Sequence, residues 1–293
     1  MSPGDYEFLC AMLKERSGLV LSAEKRYLVE SRLFPVVRKA GLPGLGALIQ
    51  KLKNPTEPLI IQVVEAMTTN ESFFFRDKVP FEQFRDVIMP ALMAARTDRR
   101  IQIWCAAAAS GQEPYSLAMC LREMQHQIAG WRIEIVATDI STEMLSKAAA
   151  GIYTQLEVQR GLPIALLIKY FSRVGDHWQI APEIRDMVQF RAVNLLNDFT
   201  HLGLFDLVFC RNVLIYFDQA TKAKVLQKIA QLTRPDGYLI LGAAETVVGV
   251  TTAFEPAPHH RGLYLPARSG KAMPLSATVR ESAPRPASTA QAR

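Results

Sequence analysis

The sequence predicts an α/β fold with a mostly parallel sheet, a small helical domain before it and an antiparallel insertion within it. Two observations predict the sheet: apolar, β-branched runs recur after residue 68, and helix-like segments separate most of them. Such runs are typical of parallel strands that are buried on both faces. The runs are IQIWC at 101–105, RIEIVATD at 132–139, MVQFRAVN at 187–194, FDLVFCRN at 205–212 and GYLILG at 237–242.

Residues 1–67 are predicted to form the helical domain. Apolar residues recur there at helical spacing, and Gly18, Gly41 and Pro43 separate the segments. Basic side chains are predicted on the exposed faces, and they indicate either an ordinary solvated surface or a groove for an acidic helix. These side chains are Lys14, Arg16, Lys25, Arg26, Arg32, Arg38 and Lys39.

Two later segments depart from the alternating pattern. Within a main domain at 68–265, residues 151–187 offer a short helix and two short strands about Gly175, which predicts an inserted antiparallel β-subdomain. Residues 266–293 are rich in Pro, Ser, Thr and Ala and contain no aromatic residue. We expect a disordered tail there, because such a segment buries too little apolar surface to offset its ordering entropy.

Composition excludes several classes of function. No apolar run reaches the about 18 to 20 residues of a membrane helix, and no secretory signal is present, so we expect a cytoplasmic protein without direct membrane insertion. Of the net charge of +6, residues 266–293 contribute +4, which leaves little positive charge for a nucleic-acid partner. The four Cys and five His show no metal-ligand spacing, so we expect no metal.

Polar turns follow three of the predicted strands. They are WCAAAASGQEPYS at 104–116, Asp139 in ATDIS, and CRNVLIYF at 210–217. Small residues at 106–111 let the backbone pass close to a ligand, and ligands bind at the carboxyl edge of such sheets. The pattern predicts a nucleotide-type cofactor site. A nicotinamide dehydrogenase is disfavoured, because its G-x-G-x-x-G is missing: only Gly111 lies between Trp104 and Pro114.

Five blocks in order resemble the signature of the CheR-type chemoreceptor methyltransferases, and the resemblance extends to about residue 265. They are TTNESFFFRD at 68–77, WCAAAASGQEPYSLAM at 104–119, ATDIS at 137–141, AVNLL at 192–196 and CRNVLIYFD at 210–218. The resemblance implies a doubly wound, Rossmann-like S-adenosylmethionine-dependent methyltransferase domain behind a helical receptor-recognition domain. The implied activity is methyl esterification of glutamate side chains in the cytoplasmic helical region of a chemoreceptor, for chemotaxis adaptation or a related chemosensory pathway, with S-adenosylhomocysteine as product.

The resemblance also implies the residues of the site. The implied cofactor contacts are Asn70, Ser72, Arg76, Glu113, Asp139, Asn194, Leu195, Arg211 and Asn212, and the implied catalytic residue is Tyr216. Chemistry agrees at several positions: the planar fork of Arg76 suits a carboxylate, and Asp139 can accept from both ribose hydroxyls. A glutamate substrate is already ionised at neutral pH, so Tyr216 need only orient it and no general base is required.

One departure and several alternatives accompany this interpretation. Family members commonly carry Thr-Gly-Glu-Glu where this chain has Ser110-Gly111-Gln112-Glu113, which removes one charge and keeps the hydroxyl and the second acid. A base-amino methyltransferase is disfavoured, because residues 211–216 contain no proline of an N-P-P-Y-like turn. A cofactor-binding sensor without turnover, and a methyltransferase for another protein or a small carboxylate, stay open.

Overall fold

The structure, a computed structural model, describes residues 1–267, and four helices occupy the first part. They are α1 (Pro3–Ser17), α2 (Arg26–Lys39), α3 (Leu45–Lys53) and α4 (Glu57–Met67). Helix α1 begins where the Ser2 hydroxyl accepts the Asp5 N–H and the Asp5 carboxylate accepts the Ser2 N–H. It ends at Gly18, whose φ of 76° suits a left-handed cap. The four helices enclose their own apolar core, as their spacing predicts.

Within the described part of the chain, ten strands follow and form two sheets. They are β1 (Arg100–Ala106), β2 (Arg132–Asp139), β3 (Ile152–Thr154), β4 (Phe171–Val174), β5 (His177–Ile180), β6 (Val188–Ala192), β7 (Phe205–Cys210), β8 (Thr233–Leu241), β9 (Phe254–Pro256) and β10 (Leu263–Pro266). The main sheet has the order β6-β2-β1-β7-β8-β10-β9. The five predicted strands β1, β2, β6, β7 and β8 pair in parallel, as expected. The antiparallel pair β9 and β10 at the edge was not predicted.

Helices cover both faces of the main sheet. The remaining helices are α5 (Val79–Gln83), α6 (Met89–Ala95), α7 (Gln112–Glu123), α8 (Thr142–Ala150), α9 (Gln155–Gln159), α10 (Ile164–Tyr170), α11 (Pro182–Arg185) and α12 (Gln219–Leu232), and a π-helical turn at Phe84–Ile88 joins α5 to α6. Along β1, Ile101, Ile103 and Cys105 enter the core beneath α5 to α7, whereas Trp104 and Ala106 enter the core beneath α12. The doubly wound, Rossmann-like fold is confirmed.

The insertion forms the second sheet. Its strands pair antiparallel in the order β3-β5-β4, and β4 meets β5 at a tight turn about Gly175. The sequence predicted two strands there, and the structure has three, because β3 directly after α8 adds the short edge Ile152–Thr154. Tyr153 and Ile180 bury this sheet against the core of the main domain.

The main domain extends past its predicted end. Pro266, which was assigned to the tail, lies in β10 opposite Phe254, and the Ala267 N–H donates to the Ala253 carbonyl over 2.8 Å. Residues 266 and 267 therefore belong to the folded part and not to a tail. Proline is tolerated at 266 because the pairing of β10 with β8 involves only Leu263 and Tyr264, so Pro266 has a partner strand on one side alone. The remainder of the predicted tail, 268–293, lies outside the described residues. Among the helices of residues 1–267, none has the length and apolar character needed to cross a membrane.

Candidate active site

A cleft opens at the carboxyl edge of the main sheet, where β1, β2, β6 and β7 end. All ten predicted site residues line it: Asn70, Ser72, Arg76, Glu113, Asp139, Asn194, Leu195, Arg211, Asn212 and Tyr216. Ser17 and Leu19 of the helical domain line it too, and the sequence did not predict them. No local motif could reveal them, since docking of the two domains brings them to the cleft.

The turn after β1 forms the floor of the cleft. Ala107 and Ala109 line it with φ of 58° and 47°, a left-handed backbone that non-glycine residues adopt at a cost of about 1–3 kcal/mol. Gly111 also has a positive φ, but its role differs from the prediction that it lies beneath a ligand. A Cβ at Gly111 would lie 2.9 Å from the Ala148 Cβ, so this glycine is required for close packing on α8.

Asp139 clamps the strained turn from the end of β2. Its Oδ2 accepts the Ala109 N–H at 2.8 Å, and its Oδ1 accepts the Ser141 N–H at 2.9 Å. Burial raises the pKa of the Asp139 carboxyl, and the backbone hydrogen bonds partly oppose that shift. Because a carboxylate has about four acceptor positions, Asp139 keeps acceptor capacity for a ligand in the cleft.

Arg211 organises the opposite wall. Its Nη1 donates to Glu113 at 2.8 Å, and its Nη2 donates to Asp77 at 2.6 Å and to the Arg76 carbonyl at 3.0 Å. Its side chain is only 1% exposed. Burial raises the pKa of Glu113, and the Arg211 guanidinium opposes the shift. Arg211 therefore holds the segment that carries Arg76, and Glu113 is paired within the protein.

Arg76 lies at the rim of the cleft beside an aromatic ring. Its Nη1 donates to the Glu71 carbonyl at 3.0 Å, and its guanidinium lies 5.3 Å from the centre of the Phe73 ring. Arg160 of the insertion lies 4.4 Å from the same ring. Arg76 is half-buried. Its contacts with the Glu71 carbonyl and the Phe73 ring hold its planar guanidinium beside the opening of the cleft.

Asn194 is used differently from what was expected. Its Nδ2 donates to the Arg16 carbonyl at 2.7 Å, and its Oδ1 accepts the Leu196 N–H at 3.0 Å. The side-chain amide of Asn194 thus fastens the end of α1 to the loop after β6. Its neighbour Leu195 is buried and presents an apolar surface to the cleft.

Four polar side chains in the cleft keep their hydrogen-bonding capacity. Within residues 1–267, the side chains of Asn70, Ser72, Asn212 and Tyr216 form no hydrogen bond to another protein group. The same part of the chain contains no cluster of His, Cys, Asp or Glu suited to a metal ion. The cleft thus offers amide and hydroxyl groups, a carboxylate and a guanidinium, which is a set of partners for a polar organic ligand rather than for a metal.

Comparison with known proteins agrees with this architecture. Residues 4–68 match the model of the CheR methyltransferase all-alpha domain, and residues 70–263 match that of the CheR methyltransferase SAM binding domain. The chain is 44% identical to chemotaxis protein methyltransferase 1 of Pseudomonas aeruginosa, over 83% of this chain and 90% of the relative. It is 42% identical to chemotaxis protein methyltransferase 1 of Vibrio cholerae, over 87% and 94%. The chain therefore belongs to the CheR family of S-adenosylmethionine-dependent methyltransferases.

Proposed function

We propose that the protein methyl-esterifies glutamate side chains in the cytoplasmic helical region of a bacterial chemoreceptor, and that the cleft lined by the ten predicted residues binds the cofactor and the substrate. One observation carries the assignment of residues: the groups predicted from five separate sequence blocks converge on one cleft. A substrate region of this kind places the enzyme in the cytoplasm.

The polar groups of the cleft fit the cofactor. Asp139, which keeps acceptor capacity beyond its backbone hydrogen bonds, suits the ribose hydroxyls, while Arg76 suits the methionine carboxylate. Asn70 and Ser72 offer unpaired donors beside Arg76. A further sign of a polar ligand is the buried Arg211 Nε–H, which has no hydrogen-bond partner within residues 1–267.

Two of the predicted contacts act in another way than first expected. Because Arg211 directs its Nη groups at Glu113, Asp77 and a backbone carbonyl, we assign it mainly to holding the cofactor-binding segment in place. Because the Asn194 amide bonds to the helical domain, we assign the contact with adenine to the apolar surface of Leu195.

When bound, S-adenosylmethionine supplies an electrophilic methyl group on a sulfonium centre and leaves as S-adenosylhomocysteine. The protein then has to align an incoming carboxylate and remove water from it. The Tyr216 hydroxyl, which no group of residues 1–267 binds, can donate to one carboxylate oxygen and leave the other oxygen to attack. No general base is needed, since a glutamate with a pKa of about 4.3 is ionised at neutral pH.

The helical domain offers cations to an acidic partner. Four of the seven basic residues predicted on its exposed faces bond to other protein groups; for example, Lys14 pairs with Asp218, and Arg32 donates to the Met67 carbonyl. The exposed side chains of Lys25, Arg38 and Lys39 form no hydrogen bond or ion pair within residues 1–267. They lie at the two ends of α2, where they favour docking of an acidic helix.

The proposal is tested with labelled methyl donor and a panel of chemoreceptor cytoplasmic fragments. We expect label on a fragment that is released in mild base, because esters hydrolyse there and methylamines do not. Base-stable label would reject esterification. Cofactor binding without any label transfer would instead indicate a sensor, and label on small carboxylates alone would indicate a different substrate class.

A further inference from the structure

The side chain of Glu245 connects the loops that follow β7 and β8, next to the cleft. Its Oε2 accepts the N–H of Asn212 and of Gly242, both at 2.8 Å, and its Oε1 accepts the Ile215 N–H at 3.3 Å. Within residues 1–267, no cation forms an ion pair with it. Three backbone donors from two loops thus converge on one carboxylate that does not itself line the cleft.

The contact with Asn212 holds an unusual backbone conformation. Asn212 has a φ of 60°, in the left-handed region, and such residues persist where the surroundings fix them. Glu245 supplies that constraint through the Asn212 N–H. Gly242 makes room for it: a Cβ there would lie 2.7 Å from the Glu245 Oε2 and 3.0 Å from the Asn212 nitrogen.

The loop between these contacts ends at the proposed catalytic residue. Ile215, the third residue held by Glu245, directly precedes Tyr216 in the 3₁₀ turn Leu214–Tyr216. The Tyr216 carbonyl is held separately by the Val20 N–H at 2.9 Å. The backbone on both sides of the Tyr216 side chain is therefore fixed, by Glu245 before it and by the helical domain after it.

We propose that Glu245 is a positioning residue for methyl transfer, which fixes the direction from which the Tyr216 hydroxyl enters the cleft. The inference rests on the proposed function of Tyr216. Glu245 acts through the backbone of residues 212–215 and touches neither substrate nor cofactor.

The test combines Glu245→Ala and Glu245→Gln with Tyr216→Phe. In Glu245→Gln, the remaining side-chain oxygen can still accept two of the three N–H groups. The second carboxylate oxygen is replaced by an NH2 group, which cannot accept the third. We measure kcat at saturating cofactor and receptor fragment, cofactor affinity and the thermal midpoint in six proteins: the wild type, the three single variants and the two double variants. Asp98→Ala is the control, because Asp98 accepts the Arg100 N–H at the opposite edge of the sheet.

If Glu245 acts through Tyr216, Glu245→Ala lowers kcat by about tenfold to a hundredfold when Tyr216 is present and by less than about threefold in Tyr216→Phe. Glu245→Gln should recover part of the loss, and Asp98→Ala should keep full activity. Equal losses in both tyrosine backgrounds, or full activity of Glu245→Ala, would overturn the proposal.

Two further outcomes are decided by the same measurements. If Glu245→Ala does not fold, the comparison is made with Glu245→Gln. If Tyr216→Phe has no measurable turnover, Glu245→Gln must still lower kcat at an unchanged thermal midpoint; unchanged kcat overturns the proposal. A wild-type protein without turnover rejects the proposed function itself, whereas an active wild type with a fully active Glu245→Ala rejects only the role of Glu245.

Discussion

The backbone N–H of Val20 donates to the carbonyl oxygen of Tyr216 over 2.9 Å, so the helical domain is attached directly to the proposed catalytic residue. Gly18 lies beside this bond and against the Phe217 ring. Lys14 extends the same interface with an ion pair to Asp218. The helical domain thus forms part of the wall of the cleft and helps to shape it.

Gly18→Ala should loosen this interface. Gly18 has a φ of 76°, and an added Cβ would lie 2.8 Å from the Phe217 ring. We expect the free energy of unfolding to fall by about 2–4 kcal/mol, from backbone strain and overpacking together. Denaturant unfolding measures this, and kcat should fall with it. Gly41→Ala is the matched control, because it has a φ of 64° and open space around it. Equal losses in both variants would contradict a tight contact at Gly18.

Asp139→Asn should weaken the binding of S-adenosylmethionine. It removes the charge and one of the oxygens that we assign to the ribose, so we expect Kd to rise by at least about tenfold. Calorimetric titration measures Kd. Asp198→Asn serves as control, because Asp198 also accepts a backbone N–H, from Thr200, but does not line the cleft. An unchanged affinity for Asp139→Asn would remove this residue from the site.

Tyr216→Phe should separate catalysis from cofactor binding. We expect Kd for S-adenosylmethionine to stay within about twofold and kcat to fall by about tenfold or more, since a hydrogen bond to a charged group is lost. Tyr6→Phe loses a hydroxyl bonded to the Ser22 carbonyl; neither of these residues lines the cleft, so this variant should keep its activity. A fully active Tyr216→Phe would exclude the hydroxyl from the mechanism.

Arg211→Met should destabilise the fold in a pH-dependent way. It leaves the buried Glu113 without its cation, which costs about 3–5 kcal/mol at neutral pH. Burial already raises the pKa of Glu113, and loss of Arg211 raises it further. The folded state then binds the proton more tightly than the unfolded state, so stability falls as pH rises above the unfolded pKa of about 4.3.

Measuring the free energy of unfolding at pH 5 and pH 8 tests the direction of this pH dependence. The first pH lies about one unit above the unfolded pKa of glutamate, and the second lies several units above it. The loss in Arg211→Met should be larger at the higher pH, and adding Glu113→Gln should remove most of that difference. A loss that is the same at both pH values would contradict a buried, unpaired carboxyl.

Deletion of residues 268–293 should leave the fold and the affinity for cofactor unchanged. Among the described residues, those that line the cleft lie between 17 and 217, and the strand nearest the deleted segment ends at Pro266. Thermal unfolding and calorimetry of the shortened chain measure both properties. A large loss of stability would mean that the deleted segment packs on the folded part.

The parts of the fold that the sequence predicted are those with local signals. The strands β1 and β2 were predicted nearly to the residue, because buried parallel strands are continuous apolar runs with polar residues at their ends. The short edge strands β3 and β9 were missed, because three residues are too few for an alternating pattern.

The candidate site also has features with a local sequence signal and features that depend on how distant segments pack. Motifs predicted which residues meet at the cleft, including Asp139 and Tyr216, but not which protein groups they bond. Asn194 is bonded to Arg16, 178 positions away, and Glu245 reaches Asn212 across 33 positions. A glutamate three residues after the Gly242 turn is a weak local signal for Glu245, and only the pairing of β7 with β8 gives it a role.

Equilibrium titration of the 293-residue chain with S-adenosylmethionine and S-adenosylhomocysteine tests the central claim most directly. We predict saturable binding of both ligands at one site per chain, with mutual competition and with weaker binding in Asp139→Asn. Absence of binding for both ligands, or binding that Asp139→Asn and Arg76→Ala leave unchanged, would contradict the assignment of the cleft.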